Sequence, residues 1–73
     1  MPAPEIVRFQ SATVWFSGER VAVLDRPHYN YRVTCYARRG DYASDYRRAH
    51  GDQRTTHASY SAAYSTAQAW APV

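Results

Sequence analysis

The chain has 73 residues, a net charge of +3 and one cysteine, Cys35. This length suits one small domain with a thin core, and a lone cysteine excludes an internal disulfide as its support. No segment approaches the roughly 18 apolar residues of a membrane span, and residues 1–5 lack the basic start and apolar run of a signal peptide. We therefore expect a cytoplasmic protein that gains stability by associating with itself or with a partner.

Aromatic residues supply most of the bulk available to a core. Ile6 is the only isoleucine and Leu24 the only leucine, whereas there are seven tyrosines, two tryptophans and two phenylalanines. Tyrosine buries a large ring, but its hydroxyl needs water or a hydrogen-bond partner. The composition therefore favours a recognition protein with an amphipathic surface over an enzyme with a deep pocket.

The first half of the chain predicts a hairpin. Residues 6–16 are rich in β-branched and aromatic side chains and predict one strand. Residues 17–19 are a turn of hairpin length, and residues 20–24 predict the returning strand. Pro27 lacks the backbone donor of a strand, so the segment around it ends the pairing.

Residues 30–38 give the clearest strand pattern, and residues 42–48 predict a fourth strand after a turn at 39–41. Within the clear strand, side chains alternate between two faces. One face holds Tyr31, Val33, Cys35 and Ala37, and the other holds Arg32, Thr34, Tyr36 and Arg38.

The last segment, residues 53–71, predicts a helix that is capped by Asp52 or a following threonine and ended by Pro72. Its outer side carries no charge, which favours a helix covered by a second copy of the chain or by a partner, the alternative being an ordinary exposed Ala/Ser-rich surface. The expected fold is α+β, with an antiparallel three- or four-stranded sheet (6–48) packed by one C-terminal helix, in a single domain with a tail at 1–5. The apolar stripe of this helix comprises Tyr60, Ala63, Tyr64, Ala67 and Trp70.

The sequence contains no pattern typical of catalysis, metal binding or a cofactor. Cys35 and the histidines do not fall in the short paired spacings of zinc sites. Cys35 also shares its strand face with apolar residues, which indicates a core thiol rather than a nucleophile. Three glycines are too few and too scattered for a phosphate-binding loop. We predict no cofactor and no enzymatic activity.

Arginine and tyrosine cluster in the middle of the chain, where residues 29–54 hold the entire charge excess. Guanidinium groups beside rings fit an acidic protein surface or a nucleic acid, through phosphate contacts and base stacking. The alternative is a solvated face on which Arg38 and Arg47 pair with Asp41 and Asp45. The predicted partner-binding residues are Arg32, Tyr36, Arg38, Arg39, Tyr42, Tyr46, Arg47 and Arg48, together with Tyr64 on the helix.

The layout of the second half resembles small phage proteins of the anti-CRISPR type. The resemblance rests on a tyrosine-rich strand at 29–39, a Gly51-Asp52 break and an alanine-rich terminal helix ending in Trp70. It implies an inhibitor, carried by a phage or mobile element, that occupies a surface of a larger protein or nucleoprotein complex such as a CRISPR effector in a bacterial host. Because this chain is basic, the resemblance implies contact with acidic protein patches or bound nucleic acid rather than imitation of DNA. The alternative is a small basic nucleic-acid-binding protein that uses the Arg/Tyr sheet face.

Overall fold

The computed structural model of the chain describes residues 5–45 and 52–72. It confirms the α+β class with a C-terminal helix, but the sheet has five strands rather than three or four. In chain order the elements are β1 (Glu5–Arg8), β2 (Ala12–Ser17), β3 (Arg20–Asp25), β4 (Tyr31–Tyr36), α1 (Arg39–Asp45), β5 (Gln53–His57) and α2 (Tyr60–Trp70).

The five strands form an antiparallel sheet in sequence order, β1-β2-β3-β4-β5. Trp15 pairs with Ala22, and Leu24 with Val33. Because each strand reverses the direction of the one before, the β1–β2, β3–β4 and β5–α2 connections all lie at the same end of the sheet.

The predicted single strand at 6–16 is wrong, because it is two strands that pair with each other. The chain reverses at residues 9–11, where the Phe9 N–H donates to the Ala12 carbonyl oxygen over 2.7 Å. This turn contains no glycine or proline, so the usual sequence signal of a hairpin is missing. Glu5, which the sequence placed in a tail, begins β1.

The predicted fourth strand at 42–48 is also wrong in its described part, which is the helix α1. The Arg38 carbonyl oxygen accepts from the N–H groups of Asp41 and Tyr42, which starts the helix. Asp41 in the first turn is favourable at a helix N-terminus. Residues 46–48 lie outside the described residues.

The predicted helix at 53–71 begins later than expected, at Tyr60. Residues 53–57 instead form β5, in which β-branched Thr55 and Thr56 suit a strand. Ser59 is the N-cap, and its side chain accepts from the Ala62 N–H. Asp52 caps no helix. Its carboxylate accepts from the Ala37 N–H over 2.7 Å, and its own N–H donates to the Cys35 carbonyl oxygen.

The core lies on both faces of the sheet. On the α2 face, Trp15, Leu24 and Val33 pack against the buried alanines of the helix, as the apolar stripe predicts. On the opposite face, Val14, Val21 and Tyr36 are buried beside the partly buried Phe16, Val23 and Tyr42. The alternation predicted for β4 is therefore correct, but the face expected to meet water is largely apolar and covered in part by α1.

Candidate functional site

Arg32 is the first of the predicted contact residues, and it is held by a neighbour. Its guanidinium makes two hydrogen bonds to Asp25, from Nη2 to Oδ2 over 2.6 Å and from Nε to Oδ1 over 3.0 Å. Both side chains are 25% exposed. The hydrogen bonds to Asp25 raise the pKa of Arg32 above its ordinary value, with burial opposing. Two of the five N–H donors of this guanidinium are thus already engaged by Asp25.

Tyr36 and Tyr42 lie in the core opposite α2. Tyr36 is only 2% exposed, and its ring meets Tyr42 edge to face at 5.6 Å. Tyr42 also meets Phe16 at 5.8 Å. The Tyr36 ring is therefore not exposed to a partner, because the sheet face that carries it is a second core rather than a solvated surface.

Arg38 and Arg39 follow β4 and point to separate neighbours. Arg38 is exposed, and its Nε lies 3.4 Å from the Asp41 carboxylate. The Arg39 guanidinium lies over the Phe16 ring at 4.8 Å and donates from Nε to the Gly18 carbonyl oxygen over 2.7 Å. Of these two, Arg38 alone extends well into solvent.

Tyr64 belongs to the other core, on the α2 face of the sheet. Its ring meets Trp15 edge to face at 5.2 Å. Of the described members of the predicted set, Arg32, Tyr36 and Tyr42 share the face opposite α2 and line one cavity there, whereas Tyr64 lies on the other face. Arg38 and Arg39 make separate contacts beyond the end of β4. Tyr46, Arg47 and Arg48 lie outside the described residues.

The structure brings a different group of side chains together at the end of the sheet formed by residues 9–11, 26–30 and 58–60, here called the loop end. Among the described residues, the exposed large hydrophobic side chains are Phe9 at 56%, Tyr29 at 87% and Tyr60 at 44%. Each comes from a different connection, yet all three lie at this one end. Most surface rings of a small domain are shielded, so three together mark a candidate contact surface.

Neighbouring rings hold the loop end in place. Tyr60 contacts Tyr31 at 5.6 Å and Tyr64 at 5.9 Å, so a row of rings joins it to Trp15 in the core. The Arg26 guanidinium lies over Tyr31 at 4.9 Å and donates from Nε to the Tyr29 carbonyl oxygen.

Two cavities open beside Phe9. The first, of about 360 Å³, lies between Phe9 and Tyr60, with Arg26 and Asp25 among its lining residues. The second, of about 380 Å³, lies on the face opposite α2, where Phe9 and Tyr42 help to line it. These volumes lie at the small end of ligand sites, at roughly 300–1,000 Å³.

The charge at the loop end is positive. Arg8 and Arg26 form no ion pair with any acid in the described parts of the chain, and Asp25 is engaged by Arg32. The loop-end segments themselves contain no Asp or Glu. A partner with negative charge and flat or apolar groups would therefore be complementary to this end.

Cys35 is buried, and burial raises the pKa of its thiol to about 11, so it stays protonated near neutral pH. Within residues 5–45 and 52–72, no three His, Cys, Asp or Glu side chains come together as a metal site. Neither described helix is long and apolar enough to cross a membrane.

The loop end was missed because its members are far apart in the sequence. The sequence pattern predicts that residues 9–11 lie within a strand and that residues 26–30 only interrupt the pairing. The sequence feature that could have indicated this surface is the pair Arg26 and Tyr29 beside Pro27, because side chains in a turn point outward. Without the β1–β2 turn, nothing in the sequence placed Phe9 next to them.

Comparison with known proteins found no matching family model, no similar curated protein and no similar solved structure. Function is therefore inferred from the residues of the site.

Proposed function

We propose that this chain is a non-enzymatic binding protein that docks its loop end on a larger protein or nucleoprotein complex. The observation that carries the proposal is the convergence of Phe9, Tyr29 and Tyr60 at one end, all exposed and beside Arg26. Aromatic residues and arginine dominate the energetic centres of binding surfaces. The Tyr60 ring is already held by Tyr31 and Tyr64 and loses little conformational freedom on binding, which favours affinity.

The absence of an evident reactive group among the described residues supports binding over catalysis. Cys35 is the thiol that a nucleophilic mechanism would need, and it is packed in the core with a raised pKa. Among the described residues, no histidine lines either cavity. A protein of this kind acts stoichiometrically, by occupying a surface that another molecule needs.

Within this proposal, the chain is an inhibitor carried by a phage or mobile element and acts in the cytoplasm of a bacterial host. The layout that resembles anti-CRISPR proteins and the basic loop end support a nucleoprotein target such as a CRISPR effector. Arg8 and Arg26 would meet acidic side chains or the phosphates of bound nucleic acid there.

Self-association through α2 is a separate part of the proposal. Its outward residues, such as Ser61 and Ser65, are exposed and uncharged. Sedimentation over a range of concentrations tests this directly. A homodimer that dissociates when Ser65→Glu is introduced supports it, and a monomer at high concentration rules it out.

The docking surface is tested by affinity capture from the native host, with and without nuclease. The wild-type chain is compared with a Phe9→Ala/Tyr29→Ala variant, and with Arg38→Gln as a control at the opposite end. We expect the loop-end variant to lose its specific partner while the control keeps it. Retention of the same partner by the loop-end variant would contradict the proposal.

A further inference from the structure

We infer that the loop end binds single-stranded nucleic acid, with one unstacked base between Phe9 and Tyr60 and the adjoining phosphate on Arg26. This inference rests on the proposed function and names the partner class for the same surface. It derives from the rings that line this cavity, from the cationic groups of Arg8 and Arg26 and from the polar residues of the cavity wall.

Phe9, Tyr31 and Tyr60 are among the residues that line the cavity of about 360 Å³, so rings form part of its wall. A planar base extruded from a strand stacks on such rings, and the contact tolerates any base because each has a π-face. Tyr29, which is 87% exposed, offers a further platform outside the cavity for a neighbouring base.

The charges at the rim match a sugar–phosphate backbone. Nη1 and Nη2 of Arg26 make no hydrogen bond to another described residue, since the bond to Tyr29 uses Nε. Arg8 is also exposed and unpaired among those residues. The exposed Arg8 guanidinium and the terminal nitrogens of Arg26 lie at the same end as exposed rings, which is the combination used for single strands: cationic contact to phosphate together with stacking.

The lining of the cavity favours a base over the carboxylate of an acidic protein. Gln10, Ser11 and Thr13 contribute polar side chains that suit the edge of a base. A carboxylate placed there would meet the negative faces of the rings. A neutral base brings no charge into the cavity and leaves its phosphate outside, on the arginines.

The experiment is fluorescence anisotropy of the purified chain with a labelled oligothymidylate of about 12 nucleotides, a length within the range that small domains cover. A duplex of the same length serves as the comparison. We expect binding to the single strand that weakens about fivefold or more for Phe9→Ala or Tyr29→Ala. Raising the salt concentration should weaken binding, and Arg26→Gln should reduce the log–log slope by about 0.7 for the phosphate it no longer neutralises.

Arg38→Gln is the matched control, because it removes the same charge from the opposite end and from the originally predicted set. Circular dichroism verifies that each variant is folded. Equal weakening by Arg26→Gln and Arg38→Gln would overturn the inference, as would equal affinity for the duplex or no binding to the strand. If the host partner is captured through the loop end and is insensitive to nuclease while no strand binds, docking stands and the nucleic-acid partner is excluded.

Discussion

Asp25 and Arg32 lie opposite each other on strands β3 and β4 and form a bidentate ion pair, with hydrogen bonds of 2.6 and 3.0 Å. The register of the two strands places them directly opposite, and Asp25 lines both cavities of the loop end. The pair therefore ties the ends of β3 and β4 together at the wall of the candidate site and keeps Asp25 from repelling an anionic partner.

Replacing Arg32 with Ala should lower the free energy of unfolding by about 1–3 kcal/mol, because a partly buried carboxylate loses its charged hydrogen bonds. Urea denaturation measures the change. The control is Arg38→Ala, since the exposed pair of Arg38 with Asp41 should contribute about 0–1 kcal/mol. Equal losses in the two variants would show that the Asp25–Arg32 pair has no special structural role.

Tyr64 and Tyr29 should respond differently to truncation, although both are tyrosines. Tyr64→Ala removes a ring packed on Trp15 and should cost about 2 kcal/mol of stability, less than the loss for a fully buried ring. Tyr29→Ala removes an exposed ring and should change stability by less than about 0.5 kcal/mol while weakening partner binding. Thermal unfolding distinguishes the two variants. A Tyr64→Ala variant that keeps its stability but binds its partner less well would show that Tyr64 belongs to the contact surface.

Gly18 and Gly40 test the turn after β2 and the helix α1. A Cβ at either glycine meets nothing within 4 Å, so only the backbone decides the outcome. Gly18 has φ of +60°, and Gly18→Ala should cost about 1 kcal/mol. Gly40 lies in a helix, so Gly40→Ala should stabilise the protein by roughly 0.5 kcal/mol. A destabilising Gly40→Ala would argue against a helix at this position.

The raised pKa of Cys35 predicts a loss of stability in alkali. The thiol ionises at about 11 in the folded chain, against an ordinary value of 9.0. Its contribution is complete below pH 9 and declines as the pH rises towards 11, because the unfolded chain loses the proton first. Between pH 8 and 10 we expect a loss of about 1 kcal/mol that is absent in Cys35→Ala, which isolates the thiol from the tyrosines. Identical pH profiles for the two proteins would contradict this.

The elements that could be predicted from the sequence are those whose side-chain pattern depends only on near neighbours in the chain. The alternation in β4 placed Val33 and Cys35 on the helix face, and the helical stripe placed Ala63 and Ala67 against the sheet. The errors arose where a short segment fits more than one structure. Residues 42–45 satisfy both a strand alternation and a helix, and the contact of Tyr42 with Tyr36 and Phe16 favours the helix.

What the sequence by itself determined is the class of the fold, the two faces of β4 and the face of the last helix, because side-chain periodicity requires only near neighbours. Which rings are hidden and which are exposed was decided by tertiary structure. Tyr36 and Tyr29 have the same chemistry and nearly the same position in the chain, yet one lies under α1 and the other in an open turn. Strand order brings Phe9, Tyr29 and Tyr60 to one end of the sheet, and that convergence depends on distant pairing that no local pattern encodes.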